Sequence, residues 1–484
     1  MLQVLAHPDS ETAKLKPLCV DLDGTLVKSD TLVDSLLVMA RTRPITLLRL
    51  PGRLRHGKAA FKAFVSSHVE LDVTHLPYNR KLIQFLQQEH ARGRELYLAT
   101  GANLTLAQSV AKHLGIFNGV LGSDDSTNLT GSRKLACLQN RFGQGGFAYV
   151  GNGSVDLPLL SSATERMLAN PTLSLRSQLR KRGIAPSHVF NERANPLRSF
   201  LNALRPHQWA KNLLIFLPTL LAHHHSLSIL GKALLAFICF CATASGTYVF
   251  NDLLDIEADR RSSRKRSRPF ASGDLSPLTG VIASIILVAA GLGLASLLPL
   301  DFLLWLVFYA ASTLAYSLYL KRLALVDVLV LSGLYTLRLL AGGAATDTVI
   351  SHWLAGFAIF LFFSLAIVKR FAELQSIRLS GAQLKNGRGY LMSDIEQLRS
   401  FGTASAFAAV VVFANYISGR EVVLLYRHAH DLWLIVPLMI LWLCRVWLLA
   451  SRGELDEDPV AFALTDPASL VIGAAVLTIV LMAI

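Results

Sequence analysis

Apolar residues are distributed unevenly along the chain. Up to about residue 196, apolar and charged positions are mixed, as in a water-soluble domain, whereas long apolar runs separated by short basic loops follow Pro206. A helix needs about 20 apolar residues to cross ~30 Å of hydrocarbon. The second half is therefore predicted to be an all-α bundle of about nine transmembrane helices. They are placed at 213–230, 233–251, 278–299, 302–319, 324–343, 353–368, 402–418, 432–450 and 468–484.

Composition agrees with a membrane-embedded half. A mean hydropathy of +0.44 over 484 residues is too high for a soluble protein of this size. The net charge of +14 comes from Lys and Arg in loops that border apolar runs, which indicates membrane orientation and not nucleic-acid binding. Since the first residues lack the pattern of a cleaved signal, the amino-terminal domain is expected in the bacterial cytoplasm, with the bundle in the inner membrane. The five cysteines show no metal or disulfide spacing and are interpreted as reduced packing residues.

An acidic run follows the second apolar stretch. Asp252, Asp255 and Asp259 recur at spacings that place them on one face of a continuous helix, and six Arg or Lys residues follow within 260–268. Three neighbouring carboxylates need a cation, and hard oxygen ligands favour Mg²⁺ that also contacts substrate phosphates. The alternative is a solvated acidic helix end.

The run Asn251 to Asp259, NDLLDIEAD, resembles the NDxxDxxxD motif of UbiA-type membrane transferases, whose acidic residues bind Mg²⁺ and a diphosphate. The resemblance covers about 197–484. Within that family it is closest to the branch that transfers 5-phosphoribose from phosphoribosyl diphosphate to decaprenyl phosphate for cell-wall arabinan. The segments that carry this narrower resemblance are RPHQWAKN (205–212), YSLYLKR (316–322), DVLVLSGLYTLRLLAGG (327–343) and KRFAEL (369–374).

This resemblance implies the site residues of the membrane half. Asp252, Asp255 and Asp259 would hold Mg²⁺ on the departing diphosphate, and the lipid phosphate would attack without a general base, because it is already ionised. The two phosphorylated substrates need further cations and polar groups. The expected substrate-binding residues are Lys211, Asn251, Arg266, Tyr316, Lys321, Arg322, Arg338, Lys369 and Arg370.

Three of these positions have structural alternatives. Arg338 lies inside an apolar stretch, where it could form a salt bridge with Asp327 or Glu373, and Lys321 and Arg322 could be headgroup anchors. The second acidic motif that aromatic-prenylating relatives usually carry is replaced by Lys369-Arg370-Phe-Ala-Glu373, which disfavours two symmetric metal clusters.

A second motif lies near the amino terminus. Residues 18–27, LCVDLDGTLV, predict a short buried strand that ends at Asp21 and Asp23, where ligands bind in parallel α/β sheets. The run resembles the DxDGT motif of the haloacid dehalogenase superfamily, in which the first Asp is a phosphoryl-accepting nucleophile and the second an acid and base. The resemblance implies an α/β, Rossmann-like parallel sheet with a small helical cap near 30–78.

Further segments follow in the order of that superfamily. LYLATG (96–101) and GSRK (131–134) imply that Thr100 and Lys134 bind phosphoryl oxygens, and YVGNGSVD (149–156) implies that Asn152 and Asp156 complete an Mg²⁺ site with Asp21 and Asp23. The superfamily usually has Asp at the position of Asn152, so weaker metal binding or a non-catalytic scaffold is an alternative. The expected domains are a phosphatase domain at 1–190, an interfacial linker helix at 191–212 and the transferase bundle at 213–484.

Taken together, the motifs predict phosphoribosyl transfer to polyprenyl phosphate, followed by removal of the 5-phosphate by the fused phosphatase. Two alternatives are prenyl transfer from a polyprenyl diphosphate to an aromatic acceptor, with a regulatory or separate amino-terminal domain, and a transporter or lipid-binding bundle. The expected partners are the lipid phosphate, phosphoribosyl diphosphate, the membrane and a second copy of the chain. His223 to His225 and the ELDEDP run at 454–459 are interpreted as a loop and a solvated turn.

Overall fold

The computed structural model describes residues 15–484 except 48, 56, 125–126, 224–225, 381–388 and 456–458. The chain forms two compact units. The first contains the residues up to Ala203 together with Asp252–Ile282, and the second contains Leu204–Asn251 and Ala283–Ile484. The segment that follows the second apolar stretch therefore belongs to the same unit as the amino-terminal domain.

The first unit is built on a parallel sheet, as the sequence predicts. Six strands pair in the order β3-β2-β1-β4-β5-β6, and every pair is parallel. The residues of β1 are apolar and fully buried, as expected for a strand covered on both faces. The strands are β1 (Leu18–Val20), β2 (Leu96–Asn103), β3 (Gly119–Ser123), β4 (Ala148–Gly151), β5 (Arg166–Ala169) and β6 (His188–Phe190).

Helices surround this sheet. The region expected to form a cap contains four helices and a 3₁₀ turn, Val73–His75, inserted between β1 and β2. The helices of the first unit and its boundary are α1 (Thr31–Thr42), α2 (Pro44–Leu47), α3 (Leu50–Leu54), α4 (Lys58–His68), α5 (Arg80–Ala91), α6 (Leu104–Leu114), α7 (Ser132–Phe142), α8 (Leu157–Ser162), α9 (Leu173–Lys181), α10 (Pro196–Leu204) and, within the later segment, α13 (Ile256–Arg261).

The second unit is helical. Seven helical spans of the described residues are long and apolar enough to cross a membrane, or eight if a pair bent by 79° counts as one span. This is slightly fewer than the nine predicted. The helices are α11 (Leu217–Leu221), α12 (Leu227–Leu254), α14 (Pro277–Ala295), α15 (Leu300–Leu318), α16 (Val326–Thr346), α17 (His352–Ser380), α18 (Ile395–Ile417), α19 (Arg420–Leu425), α20 (Ile435–Arg452), α21 (Pro459–Thr465) and α22 (Pro467–Ala483).

The predicted span at 213–230 is wrong. A 3₁₀ helix, Pro206–Phe216, leads into the short α11, which ends at Leu221, and α12 begins only at Leu227. His223 has a positive φ of 53° between them, so the chain turns there. Hydropathy alone does not reveal this break, because the residues are apolar, while Pro218 and the turn prevent a continuous helix.

The core of the second unit surrounds α16, which contacts α15 and α17, and α17 in turn contacts α18 and α20. Close helix contact depends on small residues at some positions. The Trp447 ring of α20 occupies the space that a Cβ atom would need at Gly402 of α18. Such packing without a hydrophobic driving force between helices is typical of membrane bundles.

Candidate active sites

The residues of the amino-terminal motif meet where the strand order reverses. Asp21 and Asp23 follow β1, and Asn152 and Asp156 follow β4, its sheet neighbour. In open α/β sheets, ligands bind beyond the carboxyl ends of strands at this kind of switch point. The arrangement confirms that this edge of the sheet carries the polar residues that the sequence singles out.

A buried chain of polar contacts links three elements at this edge. Lys134 of α7 donates to Asp21 Oδ1 at 2.8 Å and to the Tyr149 hydroxyl at 3.1 Å. Tyr149 donates to Asp156 Oδ1 at 2.9 Å. Burial works against the charged form of Lys134, but the carboxylates of Asp21 and Asp156 outweigh it and raise its pKa. The lysine therefore remains an ammonium group beside Asp21.

Asp156 forms hydrogen bonds mainly within its own loop. Its Oδ2 accepts hydrogen bonds from the backbone N–H groups of Asn152 and Gly153, each at 3.1 Å. Asn152 lies close to Gly24, which has φ +73° and where a Cβ would overlap the Asn152 amide. The structure thus gives Asp156 a role in shaping the loop that presents Asn152, in addition to the ligand role expected from the sequence.

The two aspartates of the motif have raised pKa values. Burial raises the pKa of Asp21 to about 6, although the Lys134 ammonium opposes it. Burial and the charge of Asp30 raise the pKa of Asp23 to about 7, and Asp23 Oδ1 accepts from the Thr31 N–H at 2.8 Å. A carboxyl group with a pKa near neutrality can exchange a proton under physiological conditions. Asp23 is therefore suited to acid and base chemistry.

A cavity that is partly open to solvent lies between the sheet edge and the cap. Thr100 lies nearby in β2, where it is fully buried and its hydroxyl accepts from the Ala102 N–H. Lys62 of α4 reaches across from the cap to the Gly101 carbonyl at 2.6 Å. The lining is mostly polar and consists of Asp23, Asp30, Thr31, Leu32, Ser35, Lys62, Ser66, Ala102, Asn103 and Leu106.

The residues at this edge fit a divalent cation. Asp21 and the Asn152 amide offer hard oxygen atoms, and the raised pKa values of Asp21 and Asp23 indicate excess buried negative charge. Within the described ranges, no three His, Cys, Asp or Glu side chains lie close enough to hold a metal by themselves. Water and substrate oxygens would have to complete the ligand set, as is usual for Mg²⁺.

Stability of the first unit should fall as pH rises when divalent cations are removed. The ordinary pKa of 3.8 applies to both aspartates in the unfolded chain, whereas in the folded chain they keep their protons to about pH 6 and 7. Between pH 4 and 7 the folded state therefore binds more protons, so the free energy of unfolding decreases with rising pH. Amide hydrogen exchange of β1 and β2 in EDTA should accelerate over this range.

Added Mg²⁺ should reverse that acceleration at pH 7.5, and Asp23→Asn should flatten the profile in EDTA. An exchange rate that stays constant or falls between pH 4.5 and 7.5, after correction for intrinsic exchange chemistry, would contradict the assigned pKa directions.

Two carboxylates of the acidic run contact the same arginine. Arg268 Nη1 lies 3.0 Å from Asp252 Oδ1 and 2.7 Å from Asp259 Oδ2, and both carboxylates are buried. The continuous helix expected here is wrong, because α12 ends at Leu254 and α13 begins at Ile256. Asp255 lies at the break with non-helical backbone angles, so its carboxylate leaves the shared face and lies 3.4 Å from Arg41 of α1.

The carboxylates of Asp252 and Asp259 lie close enough together to share one cation. The Arg268 guanidinium already stands as one cation between two buried carboxylates, so their oxygens are arranged to share a positive charge. Burial raises the pKa of Asp259 and Arg268 opposes this rise. The residues therefore fit a divalent ion supported by diphosphate oxygens. Arg266, which the sequence nominates, is exposed, and Arg268 takes the inner position.

In the second unit, Arg338 is buried, and none of its hydrogen-bond partners in the part of the chain that the structure describes is a carboxylate. Its Nε donates to Asn212 Oδ1 at 2.8 Å and its Nη2 to the Tyr309 hydroxyl at 3.0 Å, and its Nη1 donates to the Leu334 carbonyl. The guanidinium also lies over the rings of Tyr309 and Tyr335. These neutral partners satisfy its donors but do not cancel its charge, so the group can attract an anion.

Arg370 forms the salt bridge that the sequence left as an alternative for Arg338. Its Nε lies 2.5 Å from Asp327 Oδ2, and its Nη1 lies 3.0 Å from Glu373. Tyr316 accepts from Arg370 Nη2 at 3.2 Å, and Tyr390 donates to Asp327. Because Asp327 balances Arg370, this arginine contributes less net positive charge than its position in the sequence suggests.

The other expected substrate-binding residues are placed as follows. Lys321 donates to Asn251 Oδ1 at 3.3 Å, which connects the end of α12 to the turn after α15. Lys211 lies 5.4 Å from the centre of the Tyr335 ring, a ring that Arg338 also approaches. Arg322 is exposed and Lys369 is half-buried. Lys211 and Arg338 therefore share an aromatic neighbour.

Sequence reasoning missed three residues. Tyr149 links Lys134 to Asp156, and its position within a buried strand was a usable signal, because a buried hydroxyl needs a partner. Arg268 and Lys62 could not be distinguished from neighbouring basic residues by pattern. Of the minor motifs, His224, His225 and 456–458 lie outside the described residues, whereas His223 stacks edge-on against Tyr426.

Comparisons with known proteins match each half of the chain to a known family. Residues 212–468 match the UbiA prenyltransferase family, and residues 18–161 match the haloacid dehalogenase-like hydrolases. "Uncharacterized protein y4nM" of Sinorhizobium fredii is 37% identical over 96% of this chain and 91% of that protein. "Decaprenyl-phosphate phosphoribosyltransferase" of Mycobacterium tuberculosis is 34% identical over 47% of this chain and 76% of that protein.

Among solved structures, a UbiA homolog from Archaeoglobus fulgidus bound to GPP and Mg²⁺ aligns with a TM-score of 0.46 and 18% identity, over 58% of this chain and 99% of that one. The family match spans more than half of the chain, and it coincides with the apolar helices and with the buried acidic run. The chain is therefore an integral membrane protein that belongs to the UbiA prenyltransferase family and carries a haloacid dehalogenase-like domain at its amino terminus.

Proposed function

We propose that the chain transfers 5-phosphoribose from phosphoribosyl diphosphate to a polyprenyl phosphate, and that the amino-terminal domain removes the 5-phosphate from the lipid-linked product. The reaction would take place at the cytoplasmic face of a bacterial inner membrane. The relative from Mycobacterium tuberculosis, which bears the name of such a transferase and matches over most of its length, supports the choice of substrates.

The observation that carries this proposal is the convergence of Asp252 and Asp259 on one cation. Buried carboxylates at the end of a transmembrane helix are costly and usually functional. Two of them arranged around a positive charge provide what a departing diphosphate requires, which is a site for a bridging divalent ion. When bound, Mg²⁺ would supply positive charge to the diphosphate at Asp252 and Asp259, and to the phosphoryl group at Asp21 and Asn152.

The basic residues of the second unit are proposed to bind phosphate groups. Arg338 keeps its charge among neutral partners, and Lys211 lies beside the same tyrosine ring. A guanidinium held in one orientation by neutral hydrogen bonds is well suited to phosphate recognition. Lys321 and Asn251, Arg266, Arg322, Lys369, and the Arg370 and Tyr316 pair are proposed to assist by orienting the substrates.

In the transfer step, the bond between the anomeric carbon of ribose and the diphosphate oxygen breaks, and diphosphate leaves with the electron pair. An oxygen of the lipid phosphate forms the new bond to that carbon. The attacking phosphate is already ionised near neutral pH, so no protein base has to remove a proton. The main contributions of the protein are to position the two substrates and to stabilise the leaving group.

In the phosphatase step, the Asp21 carboxylate attacks the phosphorus atom while Asp23 gives its proton to the departing sugar oxygen. Water then hydrolyses the aspartyl-phosphate, with Asp23 receiving a proton. Lys134, bonded to Asp21, stabilises the negative charge, and Thr100 lies beside the phosphoryl position. The cavity, whose lining residues are mostly polar, is suited to a sugar phosphate and not to a polyprenyl tail.

The test is to incubate the purified full chain with phosphoribosyl diphosphate and decaprenyl phosphate and to analyse the lipids by mass spectrometry. Diphosphate release that needs both substrates, followed by loss of one phosphate from the lipid product, is expected. If release needs a polyprenyl diphosphate and an aromatic acceptor instead, prenyl transfer replaces this proposal. If the phosphorylated product persists, the amino-terminal domain has no phosphatase activity toward it.

A further inference from the structure

Residues 255–274, which we call the docked segment, belong to the first unit and contact its amino-terminal portion. The segment follows Asp252 directly and contains Asp255 and Asp259. Its contacts involve the first helix of the cap, the loop that leads into that helix, and the 3₁₀ turn Val73–His75. The phosphatase-like domain thus holds residues that the proposed transfer reaction needs.

The central contact is a buried ion pair. Arg260 Nη1 lies 2.8 Å from Asp34 Oδ2, and the two side chains are 4% and 0% exposed. Ser29 joins both groups, because its hydroxyl donates to Asp34 at 2.7 Å and accepts from Arg260 Nη2 at 3.1 Å. Breaking one partner of such a pair leaves a buried charge without compensation, which strongly disfavours the docked arrangement.

The helix that carries Asp34 also begins at the phosphatase motif. Thr31, the first residue of α1, donates its N–H to Asp23 Oδ1 at 2.8 Å, and the Ser29 carbonyl accepts from the Gly24 N–H at 3.1 Å. One end of α1 is therefore bonded to the loop that contains Asp23. Asp34, in the first turn of the same helix, holds Arg260.

Peripheral contacts fix the rest of the docked segment. Arg261 lies 2.7 Å from Asp72, and Asp274 lies 3.7 Å from Lys28. Gly273, with φ +74°, approaches Lys28 so closely that a Cβ would lie 2.7 Å from the Lys28 Cβ. All of these contacts follow Arg260 along the chain, so the docked segment is also held at its carboxyl-terminal end.

At its far end α1 meets the acidic run. Arg41, in the last turn, lies 3.4 Å from Asp255 Oδ1, with side chains 32% and 18% exposed. Asp255 lies at the helix break with non-helical backbone angles, and its carbonyl accepts from the Asp259 N–H at 2.8 Å. A cation at this distance attracts the carboxylate and restricts its rotation.

We propose that α1 positions the acidic run for transfer: Arg41 is a positioning residue for Asp255, and the pair of Asp34 with Arg260 keeps the docked segment in place. The amino-terminal domain therefore serves the transfer reaction structurally, whether or not it hydrolyses phosphate. This inference rests on the proposed function only in assigning the acidic run that contains Asp255, with Asp252 and Asp259, to the diphosphate.

The first measurement is independent of activity. Hydrogen exchange of residues 256–274 in the purified full chain should accelerate at least tenfold in Asp34→Asn, with Glu70→Gln, an exposed acid of the same domain, as the matched control. Arg41→Gln, which removes a partly exposed ion pair and leaves the core intact, should accelerate exchange near 255–261 about threefold. Unchanged exchange in Asp34→Asn and in Arg41→Gln would overturn the docking.

The second measurement separates positioning from general stability. Arg41→Gln should raise the KM for phosphoribosyl diphosphate about threefold to fivefold while kcat changes less, and Arg41→Lys should restore most of the loss. Arg92→Gln, which removes an exposed ion pair with Glu89, is the matched control and should leave both constants unchanged. An unchanged KM in Arg41→Gln, with active wild-type protein, overturns the role of Arg41.

Failure of the proposed function would look different. Wild-type protein would then release no diphosphate from phosphoribosyl diphosphate, while the exchange of the docked segment would still decide whether α1 holds it.

Discussion

Asp252→Asn should lower the rate of diphosphate release at least about a hundredfold, a loss of roughly 3 kcal/mol of transition-state stabilisation. The substitution keeps the size of the side chain but removes a buried charge that faces Asp259 across one cation. An amide cannot neutralise a divalent ion on the leaving diphosphate. The measurement is diphosphate release from phosphoribosyl diphosphate and decaprenyl phosphate by purified protein.

The control is Glu257→Gln, because Glu257 lies on α13, two residues before Asp259, and pairs with the exposed Arg261. It should retain most activity, and both variants should reach the membrane in normal amounts. Arg268→Gln distinguishes a structural salt bridge from a cation site. If the carboxylates serve only to bind Arg268, this variant and Asp252→Asn should lose the same amount of activity, and near-normal turnover in Asp252→Asn would refute the assignment.

Asp21→Asn should stop dephosphorylation, by at least about a thousandfold, while lipid phosphoribosylation continues. The 5-phosphorylated lipid should then accumulate, because the nucleophile is lost while the amide keeps the size of the side chain and its oxygen can still accept a hydrogen bond from Lys134. Mass spectrometry of the lipid products over time gives the ratio of phosphorylated to dephosphorylated species. Glu70→Gln, which changes an exposed acid of the same domain, should leave that ratio as in the wild type.

If Asp21→Asn converts the phosphorylated lipid as fast as the wild type does, the sequential scheme is wrong. A wild-type chain that leaves the phosphate in place would indicate a scaffold domain instead, consistent with Asn152 in place of the usual aspartate. The docked segment would then be the main reason for the presence of this domain.

The fold was largely predictable because both halves have strong local patterns. The strand before Asp21 is a short buried apolar run followed by two acids and a glycine, and such a run is recognisable without any knowledge of tertiary contacts. Eight of the nine predicted apolar stretches correspond to spans of the described residues, if the bent pair of helices is counted as one span. The prediction of a membrane span at 213–230 was wrong, because Pro218 and a turn at His223 interrupt the apolar residues. An averaged hydropathy does not show such interruptions.

Charge partners were harder to predict than site residues. The sequence predicts that Asp252, Asp255 and Asp259 need a cation, but six basic residues follow, and only the tertiary structure places Arg268 between Asp252 and Asp259. The pairing of Asp327 with Arg370 and not with Arg338 likewise depends on how α16 and α17 are rotated against each other. Arg41 carries no local signal at all, since its partner Asp255 lies 214 positions later.

The contact of Asp34 with Arg260 also bears on synthesis. The ribosome completes the whole parallel sheet before it reaches Arg260, 226 positions after Asp34, and a transmembrane helix is made in between. Until then, a carboxylate that the finished protein buries has no guanidinium partner. A shortened gene product that stops before the first membrane helix would retain this uncompensated charge, so attempts to express the soluble portion alone should include Asp34→Asn.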